Sequence, residues 1–205
     1  MVTPTPTDDL STYLGSDPGV ERLYDNVQSQ VAGVTLAAVK MAAWNTIEDF
    51  FIRSTMRREI VFWEMAVGIS MVDFNPFDEN WLVSWVLEFS GLSRGKVVPP
   101  GQLWDLSYPS GLRQGKVLLA LRPVSFDIDY PPELWANWFE VILSGTLARL
   151  YAQPAKPFSS PQLAGVHMNR FEAGVKRARD VAQRGNTNGP GRWCFPYFAG
   201  GRRKS

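Results

Sequence analysis

The chain has 205 residues, 45% of them hydrophobic, so it is long enough to bury the core of one domain without a disulfide or a metal ion. Its 21 basic and 20 acidic residues leave a net charge of +1, which argues against a dedicated nucleic-acid-binding protein, because such proteins usually carry a large basic excess. Cys194 is the only cysteine, so the chain is not a secreted module framed by disulfides.

The first 19 residues are rich in threonine, proline and aspartate, and they are predicted to form a flexible N-terminal segment that a partner would order. They lack the apolar run of a signal peptide, so we expect a protein that is made in the cytoplasm. The longest uncharged stretch, residues 26–39, is partly polar and shorter than the ~18 apolar residues of a membrane span. We therefore predict no membrane-spanning segment.

Residues 34–54 are predicted to form the first helix, because mostly apolar side chains recur there at helical spacing. The stripe consists of Leu36, Lys40, Ala43, Ile47, Phe50 and Ser54, widened by Val39 and Phe51. Glu48, Asp49 and Arg53 lie off this stripe, and we expect them to face solvent.

A β-rich insertion is predicted over about residues 57–129. Residues 59–74 form its first part, and residues 81–89 its clearest strand. There, alternation places Trp81, Val83, Trp85, Leu87 and Phe89 on one buried face. Two glycine-bracketed turns, residues 91–97 and 111–117, each lead into a strand. The second strand, residues 117–121, is continuously apolar, which predicts burial on both faces.

Two further helices are predicted after the insertion. The second begins near Pro131, Pro132 and Glu133 and runs to about Tyr151, and Gly145 within it indicates close helix packing. The third begins with Ser160 as its cap and Pro161 as its first residue, and Gly185 ends it. Its inner stripe is Ala164, His167, Met168, Phe171, Val175, Ala178 and Ala182, and its outer face holds Arg170, Lys176, Arg177, Arg179 and Arg184.

The predicted fold class is α+β, with a small helical bundle and a β-rich insertion between the first and the last two long helices. Residues 20–185 form a single domain in this interpretation. Residues 186–205 form a C-terminal tail that is first aromatic and then basic. Its candidate partner-docking residues are Trp193, Phe195, Tyr197, Phe198, Arg202, Arg203 and Lys204, because four aromatic residues within six positions are unusual for a free tail.

The sequence predicts no catalytic, cofactor-binding or metal site. The carboxylates near one another, Asp127 with Asp129 and Asp73 with Asp78 and Glu79, are interpreted as solvated loops, because two carboxylates without a third ligand are weak evidence for a cation site. The single histidine, His167, lies on the inner stripe of the third helix without a Gly-x-Ser-x-Gly motif, which favours a hydrogen-bonded packing role. Cys194 is interpreted as a small apolar filler.

The two glycine-bracketed turns do not match a phosphate-binding P-loop. Three residues separate their glycines where the motif requires four, and valine follows the lysine where the motif has serine or threonine. An alternative interpretation remains, a small accessory protein that binds nucleic acid through the basic helix 160–185 and the C-terminal tail.

With these elements placed, the chain resembles the head–tail connector (adaptor, or neck) proteins of tailed bacteriophages. The first matching stretch is Ile-Glu-Asp-Phe-Phe-Ile-Arg-Ser-Thr at residues 47–55. The second runs through Ala-Leu-Arg-Pro at 120–123, Tyr-Pro-Pro-Glu-Leu-Trp at 130–135 and Leu-Ser-Gly-Thr-Leu-Ala-Arg-Leu at 143–150. It continues with Gln-Pro-Ala-Lys-Pro-Phe at 153–158 and Phe-Glu-Ala-Gly-Val-Lys-Arg-Ala-Arg at 171–179. The likeness in plan covers residues 34–185, although Phe158 stands where the family would have tryptophan, and the aromatic tail has no counterpart.

This resemblance implies a non-enzymatic virion protein at the head–tail interface, assembled in the host cytoplasm and free of cofactors and membrane contacts. It implies a homododecamer ring that binds the portal protein on one side and a tail tube, nozzle or other neck protein on the other. Genomic DNA would pass through the ring without sequence-specific binding. An adaptor, a stopper and a tail-completion protein all remain compatible with the sequence.

Overall fold

The computed structural model describes residues 17–65, 71–73, 75–89, 95–98, 102–105 and 113–184. The predicted N-terminal segment up to residue 16 and the C-terminal tail lie outside these residues. The same holds for Cys194 and for all seven candidate docking residues from Trp193 to Lys204. The described part is a mixed α+β structure of helices and antiparallel sheets, which confirms the predicted fold class.

Four helices form the bundle: α1 (Pro18–Gln30), α2 (Leu36–Ser54), α3 (Pro132–Tyr151) and α4 (Pro161–Gln183). The three predicted helices correspond to α2, α3 and α4. As predicted, the side chain of Ser160 caps α4 by accepting a hydrogen bond of 3.4 Å from the backbone N–H of Leu163. Thr35 caps α2 in the same way, and α2 ends where Thr55 adopts a left-handed conformation with φ 53°.

Helix α1 was not predicted. Its buried residues Val20, Leu23, Tyr24 and Val27 follow helical spacing, and Asp17 is its N-cap, with Pro18 at the first helical position. Residues 18 and 19 therefore belong to a helix and not to a flexible N-terminal segment.

In its described residues the β insertion contains six strands: β1 (Arg58–Met65), β2 (Met71–Asp73), β3 (Trp81–Phe89), β4 (Gly95–Val98), β5 (Gln102–Asp105) and β6 (Arg113–Pro123). They form two antiparallel sheets, ordered β1-β6-β3 and β2-β5-β4. The central strand β6 contacts α2. Its consecutive residues Leu119, Ala120 and Leu121 are all fully buried, which confirms the predicted burial on both faces.

Strand β3 spans the predicted residues, but its alternation is not the predicted one. Its pairing with β6 shifts by one residue between Val83 and Trp85 and again between Val86 and Glu88. Each bulge moves the following residues to the opposite face. Trp81 and Val83 are buried as predicted, whereas the side chain of Trp85 is 56% exposed. The prediction that Trp85 and Leu87 share the buried face is wrong for this reason.

Three charged side chains of α2 that were predicted to face solvent instead form partly buried ion pairs with other elements. Glu48 accepts a hydrogen bond from Arg122 of β6, and Asp49 accepts one of 2.9 Å from Arg149 of α3. Arg53 donates to both carboxylate oxygens of Glu172 on α4. The pairs connect α2 to β6, α3 and α4, which periodicity alone does not reveal.

Candidate interaction surfaces

Two of the acidic residues singled out in the sequence, Asp127 and Asp78, contact other residues of the fold. Asp127 forms an ion pair of 2.8 Å with Lys40 of α2, and the side chain of Asp78 accepts a hydrogen bond of 2.9 Å from the backbone N–H of Asn80. Among the described residues, no three histidine, cysteine, aspartate or glutamate side chains come close enough to hold a metal ion. Nothing in this geometry points to cation chemistry at these loops.

His167 packs its ring on Tyr151, with ring centroids 5.6 Å apart and an angle of 26° between the rings. Its Nδ1 atom is buried and accepts or donates no hydrogen bond within the described structure, so the predicted hydrogen bond is missing at this atom. Burial lowers the pKa of His167 below its usual 6.5, and the nearby Arg170 lowers it further. The stacked, neutral ring is a packing element between α3 and α4.

The first sheet carries an apolar surface, called here the outer sheet face. Residues paired across a sheet share a face, and Ile60 pairs with Leu118 while Trp85 pairs with Ala120. Because β6 alternates, its residues 116, 118, 120 and 122 lie on one side, and their partners Phe62, Ile60, Trp85 and Leu82, in that order, share this side of the sheet. These four side chains are 78%, 50%, 56% and 42% exposed, respectively.

A groove of about 760 Å³ adjoins this face, between β3, the end of α2 and the middle of α4. Trp85 forms one wall, where its indole Nε1 donates a hydrogen bond of 3.2 Å to the backbone oxygen of Ile52. The Arg53–Glu172 pair forms another part of the wall, and the hydrogen bond from Arg53 holds the pKa of Glu172 below its usual value. The groove and the outer sheet face are therefore continuous through Trp85.

The outer face of α4 is exposed and basic, as predicted for Arg170, Lys176, Arg177 and Arg179. Glu172 and Asp180 interrupt it. Arg184 also lies on this exposed surface.

Sequence reasoning missed the outward residues of β1. Alternation in residues 59–64 carries the signal, because the exposed Ile60 and Phe62 flank positions that are more buried. The seven docking candidates of the tail are not part of the described structure, so nothing there brings them to this surface. No helix in the described part of the chain is long and apolar enough to cross a membrane. Neither a protein-family model nor a curated protein sequence matches the chain.

Proposed function

We propose that the chain is a non-enzymatic structural subunit that assembles into the head–tail adaptor ring of a tailed bacteriophage. The ring would lie below the portal protein, extend the DNA channel and dock a tail component. One observation carries the proposal, namely the exposed outer sheet face formed by Ile60, Phe62, Leu82 and Trp85.

Aromatic residues are enriched in the buried centres of interfaces, and Phe62 and Trp85 of this face are both largely exposed in the single subunit. A head-to-tail contact between identical subunits closes into a ring when its rotation is correct. The balanced charge of the chain also suits a conduit that lets DNA pass without gripping it.

Native mass spectrometry of the purified full chain tests this proposal. We expect wild-type protein to form rings, and the double variant Ile60→Thr and Phe62→Ser to remain monomeric with an unchanged circular dichroism spectrum. Phe77→Ser is the matched control, because Phe77 is 80% exposed in the turn before β3 and outside the outer sheet face. Rings of equal abundance in the double variant would contradict the assignment of this face.

An alternative function, binding of nucleic acid, is favoured by the exposed arginine and lysine side chains on α4. Phosphate contacts of this kind weaken steeply with salt. Fluorescence anisotropy with duplex DNA distinguishes the two functions. The alternative predicts salt-sensitive binding that is lost when Lys176, Arg179 and the tail residues Arg202, Arg203 and Lys204 are replaced by glutamine. The adaptor proposal predicts weak binding that these changes barely alter.

A further inference from the structure

A second cleft lies at one end of the helical bundle, where α2 ends, α3 begins and α4 ends. Its volume is about 660 Å³. Met56, Leu134 and Trp138 form an apolar part of the wall, and the basic residues Arg57 and Arg177 line the same cleft. The cleft is therefore both apolar and basic.

Arg57 is held in place by its neighbours, but one of its hydrogen-bond donors has no acceptor. Its guanidinium lies 5.2 Å from the ring centre of Trp81, and its backbone oxygen accepts a hydrogen bond of 2.9 Å from the N–H of Leu121. Its Nε atom is buried and has no hydrogen-bond partner in the described structure. Such a buried donor costs free energy unless an acceptor reaches it.

No carboxylate of the described residues neutralises this cleft. Arg57 and Arg177 form no ion pair there, although Glu133 also lies on the wall. The fork of an arginine matches the paired oxygens of a carboxylate or a phosphate, and the apolar wall beside it favours a peptide carboxylate over a bare anion. The chemistry of the cleft thus fits a peptide segment with an acidic residue next to an apolar one.

The chain enters the described structure close to this cleft. The carboxylate of Asp17 accepts hydrogen bonds from the backbone N–H of Tyr130 and from the indole of Trp135. Their chain neighbours Pro131 and Leu134 line the cleft. Sixteen residues precede Asp17, and they contain Asp8 and Asp9 but no lysine or arginine. The eight residues from Asp9 to Asp17 span up to about 26 Å when extended. This length lets the segment pass around one helix and reach the cleft.

We propose that this cleft binds the acidic segment Asp8-Asp9-Leu10 of the same chain, with a carboxylate on Arg57 and Arg177 and the leucine against the apolar wall. The segment would complete a site that the bundle leaves unsatisfied, and it would fix the N-terminal residues against the end of the bundle. The proposal does not depend on ring assembly, since all of its groups belong to one subunit.

Hydrogen–deuterium exchange of the full chain, read out by mass spectrometry, tests this binding. We expect the amides around residues 7–12 to exchange about tenfold more slowly in the wild-type protein than in an Asp8→Asn, Asp9→Asn variant. Arg57→Gln should remove the same protection, and combining the changes should remove no more. Arg170→Gln is the matched control, because it removes an exposed α4 charge outside the cleft.

Exchange around residues 7–12 that is equally fast in the wild type and in the Asp8→Asn, Asp9→Asn variant overturns the proposal. That comparison remains valid if Arg57→Gln impairs folding, because the two aspartates lie outside the described bundle. Protection that disappears on dilution also overturns it, since the occupant would then belong to another copy.

Discussion

The indole Nε1 of Trp135 donates a hydrogen bond of 3.0 Å to Oδ2 of Asp17. The same carboxylate accepts hydrogen bonds from the backbone N–H groups of Tyr130, at 3.1 Å, and Gly19, at 2.7 Å. One buried side chain therefore caps α1 and fixes it to the start of α3. Gly19 makes the approach possible, because a Cβ atom there would lie 2.3 Å from the Trp135 ring.

Replacing Asp17 by alanine is expected to lower the free energy of unfolding by about 3 kcal/mol, because it removes a helix cap and leaves donors without their acceptor. Urea unfolding followed by circular dichroism measures the change. Asp25→Ala is the control, since Asp25 is an exposed carboxylate on the same helix. Equal stability of the two variants would show that the Asp17 contacts contribute little.

Gly145 is expected to tolerate no side chain. A Cβ atom there would lie 2.4 Å from Thr46 of α2 and 2.6 Å from Phe171 of α4, so Gly145→Ala should destabilise the fold by about 2 kcal/mol through overpacking. Gly165 is the matched control in α4, where an added Cβ meets nothing within 4 Å. Because alanine is the better helix former, Gly165→Ala should raise stability by up to about 1 kcal/mol. Thermal unfolding of both variants checks the opposite signs.

The stability of the fold is expected to depend on the protonation of His167. Its pKa in the folded state lies below the 6.5 of the unfolded chain, so the unfolded state binds a proton that the folded state does not. The resulting stability is complete above pH 6.5, and it declines as the pH falls from 6.5 towards the folded pKa.

Urea unfolding between about pH 7.5 and about pH 5 tests this dependence, with His167→Gln as the reference that keeps the carboxylates unchanged. The wild type should lose stability relative to the variant as the pH falls. Parallel pH profiles would mean that His167 titrates normally in the folded chain. The variant should assemble as the wild type does, because His167 packs on Tyr151 between α3 and α4 and is not part of the outer sheet face.

Helices α2, α3 and α4 could be predicted from local sequence signals. Proline at the first position and a serine cap fixed the start of α4, and Gly145 correctly indicated close packing because only a small residue fits between Thr46 and Phe171. Helix α1 has the same kind of signal, with Asp17-Pro18 at its start and apolar residues at helical spacing. It was not predicted, because the threonine- and proline-rich residues before it favoured a flexible segment.

The interaction surface was harder to predict than the helices. The exposure of Trp85 depends on the bulge between Val83 and Trp85, and a bulge arises from pairing with β6, which lies distant in the sequence. The same limit applies to Arg53 and Glu172, which are separated by 119 positions yet form an ion pair. Local periodicity carries no information on either relationship.

The most direct test of the adaptor proposal is quantitative mass spectrometry of purified virions from the phage that, under this proposal, encodes the chain. The proposal predicts that the chain is present in the same number of copies as the portal protein. Its absence from purified particles that contain the portal would contradict a structural role at the head–tail interface.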